Sequence, residues 1–109
     1  MERSWRAGTV VTTESADTIA DGIAVRVPIP EAVRDLEGIV DDIWLVDDDT
    51  ILDAMRMVHA TEGIVLEPAG AVGVAAVRAH GDALKGSLVA TVLCGANVTE
   101  AQREHWFGR

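Results

Sequence analysis

Short apolar runs alternate with helical patterns along this chain, and that alternation constrains its fold more than any other feature. Residues 43–46 read Ile-Trp-Leu-Val between two groups of aspartates, which is typical of a strand buried on both faces. Residues 50–62 follow with apolar side chains at helical spacing, and Gly63 is a natural stop. Strand, helix, strand, helix and strand in this order predict an α/β fold with a mostly parallel sheet.

Four more segments have the length and the apolar content of strands. The opening of the chain, 1–29, shows no helical period and contains two of them, and the other two precede and follow a helical segment. The predicted segments are 9–13, 24–27, 64–66 and 88–93.

Two further helices are predicted between these strands. Pro30 is well placed as the first residue of a helix over 30–38, which carries one apolar stripe. Segment 68–79 consists mainly of Ala, Gly and Val. A helix that is apolar all round belongs in an interior, so this one is expected to press closely against its neighbours.

Capping pairs indicate where two helices begin. Thr50 with Asp53 approximates such a pair for the helix over 50–62. Thr99 and Gln102 form a capping box for a terminal helix that is expected to end near Trp106.

Composition excludes several classes of protein. The chain has 109 residues, enough for one domain, and its net charge of −9 would repel a polyanion, so nucleic acid is not an expected partner. No apolar run reaches the length of a membrane span, and no secretory signal begins the chain. A single cysteine, Cys94, excludes an internal disulfide and fits a reducing compartment, so a soluble, cytoplasmic protein is expected.

Candidate binding residues follow the predicted strands, because ligands of open α/β sheets sit beyond the carboxyl ends of the strands. Residues 94–97, Cys-Gly-Ala-Asn, would let a flat ligand approach the backbone, and Glu67 lies at the start of a helix. The loop 18–23 contains an acid and a glycine. Taken singly, these segments also fit a tight turn around a buried cysteine, a helix cap and an ordinary loop.

Taken together, four segments carry a more specific signal. They are 18–23 (TIADGI), 41–43 (DDI), 67–76 (EPAGAVGVAA) and 92–98 (VLCGANV). In order and spacing the chain resembles the C-terminal third of the pyridoxal-phosphate-dependent threonine/serine dehydratases and their serine racemase relatives. The resemblance implies part of a three-layer domain of the tryptophan synthase beta-like class, fold type II, over residues 1–109.

The resemblance also assigns roles around a pyridoxal 5′-phosphate cofactor. Cys94 matches the Ser or Cys that meets the pyridine nitrogen, and Glu67 matches the family acid near the pyridine edge. Gly22 matches a loop glycine packed near the cofactor ring, while Gly95 and Asn97 would shape the turn after Cys94. A thiol at the pyridine nitrogen leaves it largely unprotonated, which suits β-elimination.

Members of this family convert threonine or serine to a 2-oxo acid and ammonia. Their Schiff-base lysine and glycine-rich phosphate loop precede the segments matched here, so both are expected to be absent from this chain. Lys85 is its only lysine and falls in an expected exposed connection, 82–86. The chain is therefore expected to be a fragment that is inactive alone and is completed by an N-terminal part. The complete enzyme is expected to be a homo-oligomer that acts on a small amino-acid substrate.

Other function classes fit less of the sequence. The run 43–49 followed by a helix resembles the opening of a response-regulator receiver domain, but the phosphoacceptor Asp and the late Lys of that fold have no counterpart. A non-catalytic regulatory or binding module, or a remnant without function, is compatible with the missing lysine. A metal site is disfavoured because the three histidines and Cys94 lack the local spacings of zinc ligands.

Overall fold

The computed structural model describes residues 1–108, and five α-helices lie within them. The chain folds as two compact units, one of residues 1–18 and 23–45, the other of residues 19–22 and 46 onward. Short 3₁₀ turns occur at Asp21–Ile23 and Gly81–Leu84. The helices are α1 (Glu2–Ala7), α2 (Pro30–Asp35), α3 (Asp48–Glu62), α4 (Pro68–Ala79) and α5 (Glu100–Phe107).

The predicted helix over 50–62 is confirmed as α3, but the predicted cap is wrong. The N-cap is Asp47, whose carboxylate accepts a 2.7 Å hydrogen bond from the Thr50 backbone N–H, so the helix begins at Asp48. Thr50 already lies inside the first turn, where its amide needs a partner. The hydrogen bond from Thr50 lowers the pKa of Asp47. Gly63 ends the helix with φ 71°, as the sequence predicted.

The core of the second unit forms where α3 packs against α4. Met55 and Ala54 are fully buried on α3, and Ala71 and Ala75 are fully buried on α4. The alanines of α4 pack in the core shared with α3, and its glycines face the segment 91–94, so the prediction that this small-residue helix presses closely against its neighbours is confirmed. The buried apolar members of this core are Ala20, Ile51, Ala54, Met55, Val58, Leu66, Ala71, Ala75 and Trp106.

The terminal helix α5 is confirmed together with its cap. Thr99 Oγ1 accepts from the Gln102 backbone N–H at 3.3 Å, and the Gln102 side chain accepts from the Thr99 backbone N–H at 2.9 Å. At the other end of the helix, Arg56 Nε of α3 donates to the Trp106 carbonyl at 2.8 Å. Local capping starts this helix, and a contact with α3 holds its end.

The prediction of no helix in the opening of the chain is wrong, because α1 occupies Glu2–Ala7. Six residues make fewer than two turns, too few for an apolar period to show. Ser4 is fully buried and exchanges hydrogen bonds with Val11, accepting from its N–H at 2.9 Å.

The predicted helix over 30–38 is confirmed in part, since α2 ends at Asp35 and hydrogen-bonded turns continue to Val40.

A polar cluster on the first unit ties α1 to the segment after α2. The Asp42 carboxylate accepts from Trp44 Nε1 at 2.7 Å, from the Ile43 backbone N–H at 2.8 Å and from Arg6 Nη2 at 3.0 Å. These donors, the indole of Trp44 foremost, lower the pKa of Asp42. A hydrogen bond to Glu2 raises the pKa of Arg6. The carboxylate of Asp42 is thus used in local structure.

The predicted parallel sheet is not confirmed, because residues 1–108 form no β-strand. The segments 9–13, 24–27, 43–46, 64–66 and 88–93 carry the expected apolar residues without a hydrogen-bonded ladder. Leu88 and Val92 are exposed, at 102% and 77%. A strand is completed only by the backbone of a neighbouring strand, whereas a helix satisfies its own backbone.

Candidate functional site

The start of α4 meets the turn at 94–97, and Glu67 joins them through both its backbone and its side chain. Its N–H donates to the Gly95 carbonyl at 3.0 Å, and its Oε2 accepts from the Asn97 N–H at 3.0 Å. Glu67 is also the N-cap residue of α4, where the helix dipole favours a negative charge. The structure therefore brings together three of the candidate site residues, Glu67, Gly95 and Asn97.

Two glycines make this close approach possible. Gly95 has φ 78°, and a Cβ there would overlap the Glu67 carboxylate, with Glu67 Cγ at 2.7 Å. A Cβ on Gly70 would overlap the Cys94 carbonyl oxygen, with the carbonyl carbon at 2.7 Å. A side chain at position 70 would separate α4 from the turn, whereas one at position 95 would displace the Glu67 carboxylate and strain a backbone with positive φ.

An open cavity of about 260 Å³ lies beside this junction. Gly22 lines it from the 3₁₀ turn, and a Cβ on Gly22 would lie 3.2 Å from the Ala69 Cβ. Cys94 and Gly95 are not among its lining residues, and Cys94 is exposed. Gly22 thus joins Glu67 and Asn97 at the cavity, whereas Cys94 lies beside it on the turn. The polar and aromatic part of the lining consists of Asp21, Glu67, Asn97, Gln102 and Trp106.

Besides two apolar residues, three lining residues were not predicted as site residues. Asp21 is the immediate neighbour of Gly22, and Gln102 and Trp106 come from α5. Gln102 and Trp106 are four residues apart and so share one face of their helix, which was the available signal. The capping box accounts for Gln102 in the sequence, and an apolar packing role accounts for Trp106. Neither residue therefore suggested a binding role.

Charge at the cavity has one sign only. Among the residues that line it, Asp21 and Glu67 carry carboxylates and none is Lys or Arg. Lys85 is exposed in the connection after the 3₁₀ turn at Gly81–Leu84. Within residues 1–108, His, Cys, Asp and Glu side chains form no group of three that could hold a metal ion. The helices in this part of the chain lack the length and the hydropathy of a membrane span.

Comparison with known proteins places the chain in a family. The model of the pyridoxal-phosphate-dependent enzymes matches residues 1–95. The chain belongs to this family. The resemblance read from the four sequence segments is confirmed, and the family implies pyridoxal phosphate as the cofactor of the complete enzyme.

Among similar proteins is the biosynthetic L-threonine dehydratase of Bacillus subtilis, 39% identical over 94 residues, which are 86% of this chain and 22% of that protein. A serine racemase of Schizosaccharomyces pombe is 30% identical over 108 residues, 99% of this chain and 33% of that protein. The chain therefore spans about a fifth to a third of the length of these relatives.

Solved structures agree with this assignment. The crystal structure of a T.th. threonine deaminase superposes with a TM-score of 0.82 at 33% identity, covering 90% of this chain and 36% of that one. Threonine deaminase isoform 2 of Solanum lycopersicum gives a TM-score of 0.84 at 26% identity, covering 95% and 31%. These likenesses support a piece of a fold type II pyridoxal-phosphate enzyme, without the predicted sheet.

The residues present could meet only part of the cofactor. Gly22 lines the cavity without a side chain, and the exposed Cys94 thiol lies on the same turn as Gly95. The phosphate of the cofactor has no cationic partner among the lining residues. A volume of about 260 Å³ is also below the roughly 300–1,000 Å³ of most ligand pockets. The cavity therefore provides no partner for the phosphate of the cofactor.

Proposed function

We propose that this chain forms the ring-side wall of the cofactor site in a threonine/serine ammonia-lyase. The lysine and the phosphate loop would come from sequence outside these 109 residues. The joining of Glu67 to the turn at 94–97, beside a cavity lined by Gly22, carries the proposal. Similarity to threonine dehydratases and serine racemases supports the substrate class, a small hydroxyamino acid.

Each candidate residue has a distinct part in this proposal. When bound, pyridoxal phosphate supplies an electron-withdrawing ring that stabilises charge developing at the α-carbon of the substrate. The Cys94 thiol donates a weak hydrogen bond to the pyridine nitrogen without fully protonating it. Glu67 and Asn97 hold the turn on which that thiol lies, and Gly22 leaves one face of the ring unobstructed.

The same observations argue that the chain has no lyase activity alone. Lys85 is exposed and is not among the residues that line the cavity. Without a lysine at the site no group of this chain attaches the cofactor, and without a cation or a phosphate loop its phosphate stays unbound.

Reconstitution tests the proposal. The chain would be mixed with the segment of the T.th. threonine deaminase that precedes its matched part, and with pyridoxal phosphate. Visible absorbance of lysine-bound cofactor and formation of a 2-oxo acid from threonine or serine are expected only when both parts are present. An assay for D-serine in the same mixture separates a lyase from a racemase. If the mixture binds no cofactor, the chain is a non-catalytic module or a remnant.

A matched pair of variants tests the part assigned to Cys94. Cys94→Ser retains a hydrogen-bond donor and is expected to bind the cofactor as the unmodified chain does. Cys94→Ala removes the donor, so cofactor affinity in the mixture is expected to fall about fivefold, the effect of one hydrogen bond. Equal affinities for the two variants would mean that the thiol does not meet the pyridine nitrogen.

A further inference from the structure

Gly70 is buried in α4, one helical turn beyond Glu67. At this position the helix lies against the Cys94 peptide. A Cβ at this position would overlap the Cys94 carbonyl oxygen and lie 2.7 Å from the carbonyl carbon. Both atoms belong to the backbone, so rotation of a side chain cannot relieve the overlap. Any substitution of Gly70 must move either α4 or the turn.

Gly73, one turn further along α4, provides an informative contrast. A Cβ there would overlap Thr91 Oγ1 and lie 3.1 Å from Thr91 Cβ. The obstructing oxygen is the end of a side chain, which can rotate to another staggered position. The two glycines therefore support the same extended segment, but only Gly70 contacts it at the peptide of Cys94.

We infer that Gly70 is a positioning residue for the cofactor site, because its missing side chain sets how far the Cys94 peptide and thiol stand from α4. This inference rests on the proposed function, in which the thiol meets the pyridine nitrogen. A displacement of about 1 Å at a reacting group is enough to reduce rates strongly. Glu67 holds the same turn a few residues later, at Asn97.

The first test uses the 109-residue chain without cofactor. Cys94 is the only cysteine and is exposed, so a fluorinated thiol reagent labels it alone. Gly70→Ala is expected to shift the fluorine resonance and to change the pH profile of thiol alkylation. The controls are Gly73→Ala, on the same helix, and Gly81→Ala, where a Cβ would meet nothing within 4 Å. Both should leave the resonance and the profile unchanged.

Urea unfolding of the same variants separates position from stability. If Gly73→Ala destabilises the chain as much as Gly70→Ala yet leaves the fluorine resonance in place, Gly70 acts on Cys94 specifically. A resonance unchanged by Gly70→Ala, or changed equally by Gly73→Ala, overturns the inference.

Should Gly70→Ala not fold, Glu67→Ala decides the question. It removes the side-chain hydrogen bond to Asn97 but keeps the backbone hydrogen bond from Glu67 to Gly95 and the contact at Gly70. The fluorine resonance is therefore expected to move only part of the way toward its position in the urea-unfolded chain. A large shift in this variant would show that Glu67, and not Gly70, places Cys94, and the inference would be wrong.

The reconstituted mixture supplies the second readout. Gly70→Ala is expected to weaken cofactor binding about fivefold relative to Gly81→Ala, by loss of the contact at the pyridine nitrogen. If the unmodified mixture binds cofactor but Gly70→Ala leaves the fluorine resonance unchanged, the inference about Gly70 is wrong and the proposed function stands. A shifted resonance in a chain whose mixture binds no cofactor overturns the proposed function and leaves Gly70 as the residue that places Cys94.

Discussion

Helices α3 and α4 and segment 88–93 are all rich in apolar residues, but they differ in how far those side chains are buried. Along α3 and α4, apolar side chains are buried against one another, as Met55 and Ala71 show with no exposed surface. In 88–93, Leu88 is fully exposed and Val92 is 77% exposed. Both regions were predicted as interior elements, but only the helices reach an interior within the described chain.

Hydrogen bonding explains the difference. A helix satisfies its backbone within its own sequence, so α3 and α4 need only each other's apolar faces to form a core. An extended segment depends on neighbouring strands for its backbone and on both faces of a sheet for its side chains. Apolar content therefore predicts a preference for burial, and the presence of neighbours decides whether burial occurs.

Truncation of buried and exposed side chains gives the largest expected difference between the two regions. Met55→Ala should lower the free energy of unfolding by about 2–5 kcal/mol, because it leaves a cavity between the helices. Leu88→Ala should change it by less than about 0.5 kcal/mol, since that side chain contributes no burial. Urea unfolding followed by circular dichroism measures both.

Met55→Leu is the control for the core, because it nearly conserves volume and should cost less than about 1.5 kcal/mol. Equal losses from Met55→Ala and Leu88→Ala would mean that 88–93 is buried in solution and that the comparison is wrong.

The exposed segment is expected to drive self-association of the isolated chain. Replacing Leu88 by Gln and Val92 by Thr should weaken association about tenfold, since a buried Leu contributes roughly 1.5–3 kcal/mol. Sedimentation over a range of concentrations would measure the dissociation constant. Ala101→Ser, at an exposed position on α5, should leave it unchanged. A wild-type chain that is monomeric at every concentration would contradict this prediction.

The capping box of α5 tests how much local sequence contributes. Thr99→Ala removes the acceptor for the Gln102 amide and should lower the free energy of unfolding by about 1 kcal/mol. Thr99→Ser keeps the hydroxyl and should retain most of that stability. If the two variants unfold at the same urea concentration, packing of Trp106 alone holds α5.

The smallest expected effect is a pH dependence at the start of α3. The hydrogen bond from Thr50 lowers the pKa of Asp47 in the folded chain below its unfolded value. Its stabilising contribution is therefore present above the unfolded pKa of about 4, and it is lost as the pH falls through the lower folded value. Asp47→Asn keeps a good cap without this titration.

Urea midpoints measured from pH 7 to pH 2 would show the effect as a difference between the two proteins. The stability of the wild type should fall more steeply with acid than that of Asp47→Asn. Parallel curves would mean that Asp47 does not cap α3 in solution.

Much of the helical structure could be predicted from the sequence, and the failures have physical causes. The end of α3 at Gly63 and the capping box of α5 depend on residues within a few positions of each other. The start of α3 was misplaced because Asp47 and Thr50 are both good capping residues. Helix α1 was missed because it is too short for a period to appear.

The candidate site was predicted unevenly. Glu67 and Asn97 were both named from the sequence, but their hydrogen bond spans 30 positions and appears only in the structure. The sequence predicted Gln102 as a capping residue and Trp106 as the end of its helix, and only the folded chain places them at the cavity beside Gly22.

The sequence by itself determined the family, through four ordered segments, and the helices, through periodicity and caps. Those features are local, or they are patterns in the order of residues that can be recognised without knowing which residues are in contact. Only the tertiary structure decided which residues meet at the cavity, that Gly70 lies against the Cys94 peptide, and that 88–93 stays exposed. Each of these depends on backbone segments far apart in the chain, and local propensity carries no information about how closely such segments approach.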